Sequence, residues 1–369
     1  MFGRRDHSQN AGVTREMRQF FSGVRRSRYH SAEQVAVEYG KFLWKRSRSV
    51  TLVEDKSRTR SRFYLGLQVG DDRHGFEDVT KRAALISDTL LLAHDPTATI
   101  HFLGQHGVAR DTSGMGGAAQ VNFGLGQHLA QQNNRATRYG MHCPDLDALG
   151  QWLLDAQPLL EAGLAWYLPT YSTAFVETSG GVPNQLSAAE RARAVDYLIE
   201  DGRAIDASGA DPIKSQLIRP ILSIDLPFID GVDLREFSRI TVGEFNSYSA
   251  FRDYLRLKLL DLDPALNAVD SERQLLRVAL DIKEQIHASR AEMEQAKHKR
   301  FLTASGAAVG TVGAVLVAVY GPALESAVAT VGTSGGIWAM ISALADNSTR
   351  RLREDKWHYA WTLSRAAGF

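Results

Sequence analysis

Residues 63–70 read FYLGLQVG. The run is short, aromatic and β-branched, and it stops at Gly70, which predicts a β-strand. The charge pattern changes at this run. Residues 1–62 carry fifteen Lys/Arg against six Asp/Glu, and the other 307 residues carry 28 against 36. A net charge of +1 for the 369-residue chain therefore hides a basic arm on a mildly acidic body. Such an arm suits an anionic partner, or the body itself.

Upstream, the arm reads as helical. Phe20, Phe21, Val24, Val35, Tyr39, Phe42, Leu43 and Trp44 form an apolar stripe near helical spacing. Arg25, Arg26 and Arg28 flank it on one side, and Lys45, Arg46 and Arg48 on the other. These six are the candidate contacts to anionic lipid headgroups or to nucleic-acid phosphates. The first ten residues have no apolar core of a secretory signal, and Cys143 is the sole cysteine, which excludes an intrachain disulfide. The expected setting is a cytoplasmic body.

Downstream, DVTKRAALISDTLLLAHDP predicts a helix from about Asp78 to Pro96. A glycine-rich loop region follows at 104–126. Asp145 is placed to cap a helix bearing Leu146, Leu149 and Leu153, Pro158 opens another turn, and Gly163 sits where a C-cap belongs. LAWYL (164–168) reads as a strand. Ser187 and Glu190 have capping-box spacing and predict a helix closing at Gly202. LIRPILSIDLP (217–227) reads as extended, bounded by prolines. From Asp233 only helices are expected, the longest over Ser271–Lys299 with Leu275, Ala279, Ile282, Ile286 and Met293 on one face.

That helix leads into the most apolar part of the chain. Between Phe301 and Ala345 the only formal charge is Glu325, so the segment divides into halves of 24 and 20 residues. Each is long enough to span a bilayer, which takes about 20 residues. Lys297, Lys299 and Arg300 precede it and Arg350, Arg351 and Arg353 follow, which favours both ends on the cytoplasmic side with Glu325 at the far turn. Gly306, Gly310 and Gly313 form a small face suited to close helix approach and hence to homo-oligomers. Against this, 18 of the 45 residues are Gly or Ala and add little to insertion, so a buried hairpin in a soluble core is the competing reading.

Chemistry is less legible. His94, His101, His106, His128 and His142 cluster in sequence, but none has a metal-ligand spacing. SGMGG (113–117) lacks the Lys-Ser/Thr of a phosphate loop and follows no strand. HCPD (142–145) reads more simply as a helix start than as a reactive thiol. Glu177, Tyr167, Tyr171 and Ser172 surround a strand end, with no partner base visible in sequence. No cofactor is expected.

The sequence thus predicts an α+β, helix-dominated protein. Its parts are a basic arm (1–62), a mixed body (63–225), a helical region (226–300), an apolar hairpin (301–346) and a tail helix (347–369). The expected function is non-enzymatic: a membrane-associated protein whose hairpin anchors in or perturbs membrane lipid, in the manner of a defence or toxin-like effector. The alternatives are a soluble nucleic-acid-binding or regulatory protein, and an enzyme using the histidine-rich region 94–142.

Overall fold

The FYLGLQVG run forms β1 (Tyr64–Val69), the middle strand of a five-stranded sheet. The computed structural model describes residues 10–26, 31–47, 63–70, 73–95, 97–106, 135–177, 195–200, 203–207, 211–262, 268–304 and 355–368. Across the sheet the order is β5 (Ala165–Tyr167), β2 (Thr89–His94), β1, β7 (Tyr197–Glu200) and β8 (Arg203–Asp206). The first four are parallel, and β8 pairs antiparallel at the edge. Parallel neighbours require a crossover, and α3 (Arg73–Ala84) supplies it between β1 and β2.

Every residue of β2 is buried. A strand covered on both faces loses its alternation and reads as a continuous apolar run. The helix expected to reach Pro96 therefore ends at Ala84, and TLLLAH is the strand beside β1. A second correction has the same origin. Tyr197 and Ile199, expected inside a helix closing at Gly202, are buried in β7, which pairs with β1. Sheet pairing overrides the local helix signal there. Ser187 and Glu190 lie outside the described residues.

The second sheet is antiparallel, in the order β3 (Ile100–His106), β4 (Arg135–His142), β6 (Thr170–Glu177). It grows from the carboxyl ends of the parallel strands. β2 ends at His94 and β3 starts at Ile100; β5 ends at Tyr167 and β6 starts at Thr170. Between β4 and β5 lie α4 (Leu146–Asp155) and α5 (Gln157–Ala162). The Asp145 side chain accepts the Ala148 N–H, and Gly163 closes α5 at φ 73°, so both helix boundaries read from the sequence hold.

The arm is built into this core. α1 (Ala11–Arg26) packs on α5, and α2 (Ala32–Ser47) packs on α4 and on one face of the antiparallel sheet. Phe20, Phe21, Tyr39 and Leu43 are buried, Trp44 stacks on Tyr139 at 4.5 Å, and Tyr171 donates to the Gly40 carbonyl. The apolar stripe thus belongs to the body. Fully burying side chains of this size stabilises a fold by about 1.5–3 kcal/mol each.

The rest is helical: α6 (Pro212–Ser223), α7 (Pro227–Asp230), α8 (Leu234–Gly243), α9 (Phe245–Leu260), α10 (Ala268–Ala304) and α11 (Lys356–Ala366). The extended reading of 217–227 is corrected by α6. Lys214, Leu217, Ile218 and Ile221 are buried at helical spacing, Asp211 and Pro212 start the helix, and Pro220 sits inside it. On α10, Ile282 and Ile286 are buried, and Leu275 and Ala279 pack against the core from the same face. The fold is α+β and helix-dominated.

Among the described residues no helix is long and apolar enough to cross a membrane. The apolar segment beyond Ala304, with Gly306, Gly310, Gly313 and Glu325, lies outside those residues.

Candidate functional site at the carboxyl edge

The two edges of the parallel sheet carry different chemistry. At the amino edge, Asp88 precedes β2 and Asp196 precedes β7. Asp88 accepts the Phe63 N–H at 3.0 Å and pairs with Arg252 and Arg256 of α9 at 3.0 and 2.9 Å. Asp196 accepts the Gly66 N–H at 2.9 Å and pairs with Lys214 of α6 at 2.8 Å, whose ammonium also lies 3.7 Å from the Tyr64 ring centroid. Each carboxylate ties a neighbouring β1 backbone group to a helix, and each charge is paired. These contacts hold the sheet to its helices.

The carboxyl edge holds a chain of polar side chains where the two sheets meet. Gln68, near the end of β1, donates to Asp95 at 3.0 Å, and Asp95 also accepts from the Thr97 N–H and hydroxyl at 2.7 Å each. His94 Nδ1 lies 2.9 Å from the Tyr167 hydroxyl, and its ring stacks on Phe76 at 4.4 Å. Burial pulls the His94 pKa down to about 4, so the ring is neutral at pH 7. The Tyr167 carbonyl accepts from Tyr39 of α2 at 2.7 Å.

His142, the last residue of β4, makes two bonds. Its Nδ1 lies 3.0 Å from the Ala98 carbonyl oxygen and its Nε2 lies 2.8 Å from Ser172 Oγ. A carbonyl only accepts, so neutral His142 carries its proton on Nδ1, and Nε2 accepts the Ser172 O–H. Ser172 therefore has the partner base that the sequence does not reveal. The signal is one of register. Gly140 pairs with Ser172 and His142 with Thr170, which puts all four on one face of the β4–β6 ladder.

Three of the five clustered histidines come to this junction: His94, His142, and His101, whose Nε2 bonds the Cys143 carbonyl at 3.1 Å. Each is engaged by a protein group, and no group of three His, Cys, Asp or Glu suited to a metal ion occurs among the described residues. His128 and the side chain of His106 lie outside them. Cys143 is buried, and its thiol is pushed up to about 12 by burial and then by the Asp145 charge, which leaves it a packed thiol. The glycine cluster 113–117 is also outside the described residues.

Of the six basic residues singled out in the arm, Arg25 pairs with Glu161 of α5 at 2.5 Å and Arg46 pairs with Glu16 while its guanidinium lies over the Phe42 ring. Lys45 is exposed at the end of α2. Nothing is described of the Arg26 side chain, nor of Arg28 and Arg48. The structure thus brings part of the arm's positive charge against carboxylates of its own chain.

The carboxyl edge also has the topology of a ligand site. From β1 the chain runs outward to β2 and then β5, and it returns to β7 on the other side of β1. In open parallel sheets ligands bind outside the carboxyl ends where the strand order reverses in this way. Here that point lies between β1 and β7, where Gln68 and Val69 pair with Leu198 and Ile199. No protein-family model, curated protein or solved structure matches the chain.

Proposed function

We propose that this is a membrane-associated protein in two working parts. The α+β body binds a ligand at the carboxyl edge of its parallel sheet, and the apolar segment 301–345 anchors in or perturbs a bilayer. The observation that carries the reading is how the segment is bracketed. α10 enters it and α11 follows it, and both helices pack on the same body. Trp357, Tyr359 and Leu363 of α11 are buried, as are Ile282 and Ile286 of α10. A segment whose two ends return to one body crosses a bilayer an even number of times. Halves of 24 and 20 residues suit two crossings, with basic residues at both outer ends.

α10 supplies the reach. Its 37 residues span about 56 Å at 1.5 Å per residue. Ala304 therefore lies about 27 Å along the axis beyond Ile286, which is buried in the body.

The test is site-directed labelling of the full chain in intact cells. On a Cys143→Ser background, a thiol placed at Glu325 should react with an impermeant reagent, and one placed at Ser348 should be spared. Protection of both thiols, with the protein in the supernatant after lysis, makes the segment a soluble core and ends the membrane reading.

A further inference from the structure

We propose that Ser172 is a nucleophile, with His142 as its base, for transfer of a small acyl group from an ester. The proposal concerns the antiparallel sheet and stands independently of the fate of the apolar segment. Three features of an activated serine are present together. The hydroxyl donates to an imidazole nitrogen at 2.8 Å. The other imidazole nitrogen donates to a fixed acceptor, the Ala98 carbonyl at 3.0 Å, which sets the tautomer and the ring plane. The base also sits on a rigid strand, His142 ending β4 in register with Thr170 of β6. A nucleophile, a base within hydrogen-bond reach and a group orienting that base are the geometric requirements of hydroxyl activation.

The surroundings select the substrate. Strand alternation puts Ile100 and Phe102 of β3, Gly140 and His142 of β4, and Thr170 and Ser172 of β6 on one face. The opposite face carries Tyr139, Met141 and Tyr171 and is covered by α2. Phe102, Gly140 and Ser172 lie in one row across the three strands. Phe102 is 57% exposed, and the space over Gly140 is filled by the Ile100 side chain, which a Cβ there would meet at 2.7 Å. Ser172 and His142 are only 4% and 8% exposed. A nearly buried serine beside the apolar Ile100 suits a compact, uncharged acyl group.

In the reaction Ser172 Oγ attacks the ester carbonyl carbon while its proton passes to His142 Nε2. The carbon–oxygen bond to the alcohol breaks, and His142 returns the proton to the departing alkoxide. Water then attacks the acyl-serine with His142 again taking a proton, releasing the carboxylic acid and restoring the hydroxyl. The Thr170 hydroxyl, on the same face and two residues from Ser172 on β6, is the donor proposed for the developing oxyanion.

The experiment treats the full-length protein with a fluorophosphonate probe and with p-nitrophenyl acetate. The expected result is one probe per chain, on Ser172 by peptide mass spectrometry. Labelling should vanish in Ser172→Ala and slow by about 100-fold in His142→Gln, the contribution typical of a general base. Ser172→Cys should gain rapid iodoacetamide reactivity, and it decides the matter should Ser172→Ala fail to fold. The proposal is overturned by absence of labelling, by labelling that persists in Ser172→Ala, or by a Ser172→Cys thiol that reacts no faster than the buried Cys143.

Discussion

His94 shows how a single buried side chain ties stability to pH. Its pKa is about 4 in the folded protein and about 6.5 in an unfolded chain. Above pH 6.5 both states are neutral there and the full stability is present. As pH falls from 6.5 toward 4 the unfolded state takes up the proton first, so stability is lost across that window, by about 3 kcal/mol in total. Urea unfolding between pH 7 and pH 4 should show this loss, and His94→Gln should flatten the curve; an unchanged slope would remove His94 as its source. The amino-edge pairs make a second residue-scale prediction. Lys214→Met leaves the Asp196 carboxylate buried without its cation and should cost about 3–5 kcal/mol. Replacing both partners with apolar residues should recover part of that, which a two-residue cycle in denaturant would measure.

Among the elements, α2 and α4 lie closest where Gly150 meets the start of α2. A Cβ at Gly150 would fall 1.7 Å from the Ala32 carbonyl oxygen, inside any allowed contact. Gly150→Ala should therefore force the helices apart and cost about 1–3 kcal/mol, seen as a lower unfolding midpoint with unchanged denaturant slope. The arm gives a different kind of test. With Arg25 and Arg46 paired to Glu161 and Glu16, the charge offered outward by this region is less than its composition suggests. Binding of the full chain to anionic vesicles or to oligonucleotides through this surface should weaken steeply with salt. Arg25→Ala should weaken it little, and Lys45→Ala more. Retention indifferent to salt and to lipid charge would exclude the basic surface as the contact.

At the scale of the whole molecule, the chain returns to the same body after the apolar segment. α11 lies after that segment in sequence, yet Tyr359 is buried against Tyr248 of α9 and bonds Thr241 of α8 at 2.9 Å. A Gly/Ser linker of equal length in place of residues 305–354 should leave the cooperative unfolding of the body intact. It should also move the protein from the membrane pellet to the supernatant. Loss of the folded body in that variant would show that the segment is part of the core.

How much of this was legible in the sequence depends on the range of the forces involved. Local signals were sufficient for β1, for the Asp145 and Gly163 helix boundaries, and for the helices after Asp233, because capping, turn chemistry and apolar periodicity act within a few residues. They were insufficient for β2, β7 and α6. A strand buried on both faces has no alternation to read, Tyr197 and Ile199 become a strand by pairing with a β1 more than a hundred residues away, and Pro220 masked a helical spacing. The candidate site was legible only as residue types. The histidines and Ser172 stand in the sequence, but the bond between Ser172 and His142 depends on strand register across 30 positions. The same holds for the arm: composition established its charge and its apolar stripe, whereas tertiary packing alone decided that the stripe faces the core, because burying Phe20, Phe21 and Tyr39 against α5 and the sheets removes from water a surface that a free arm would leave exposed.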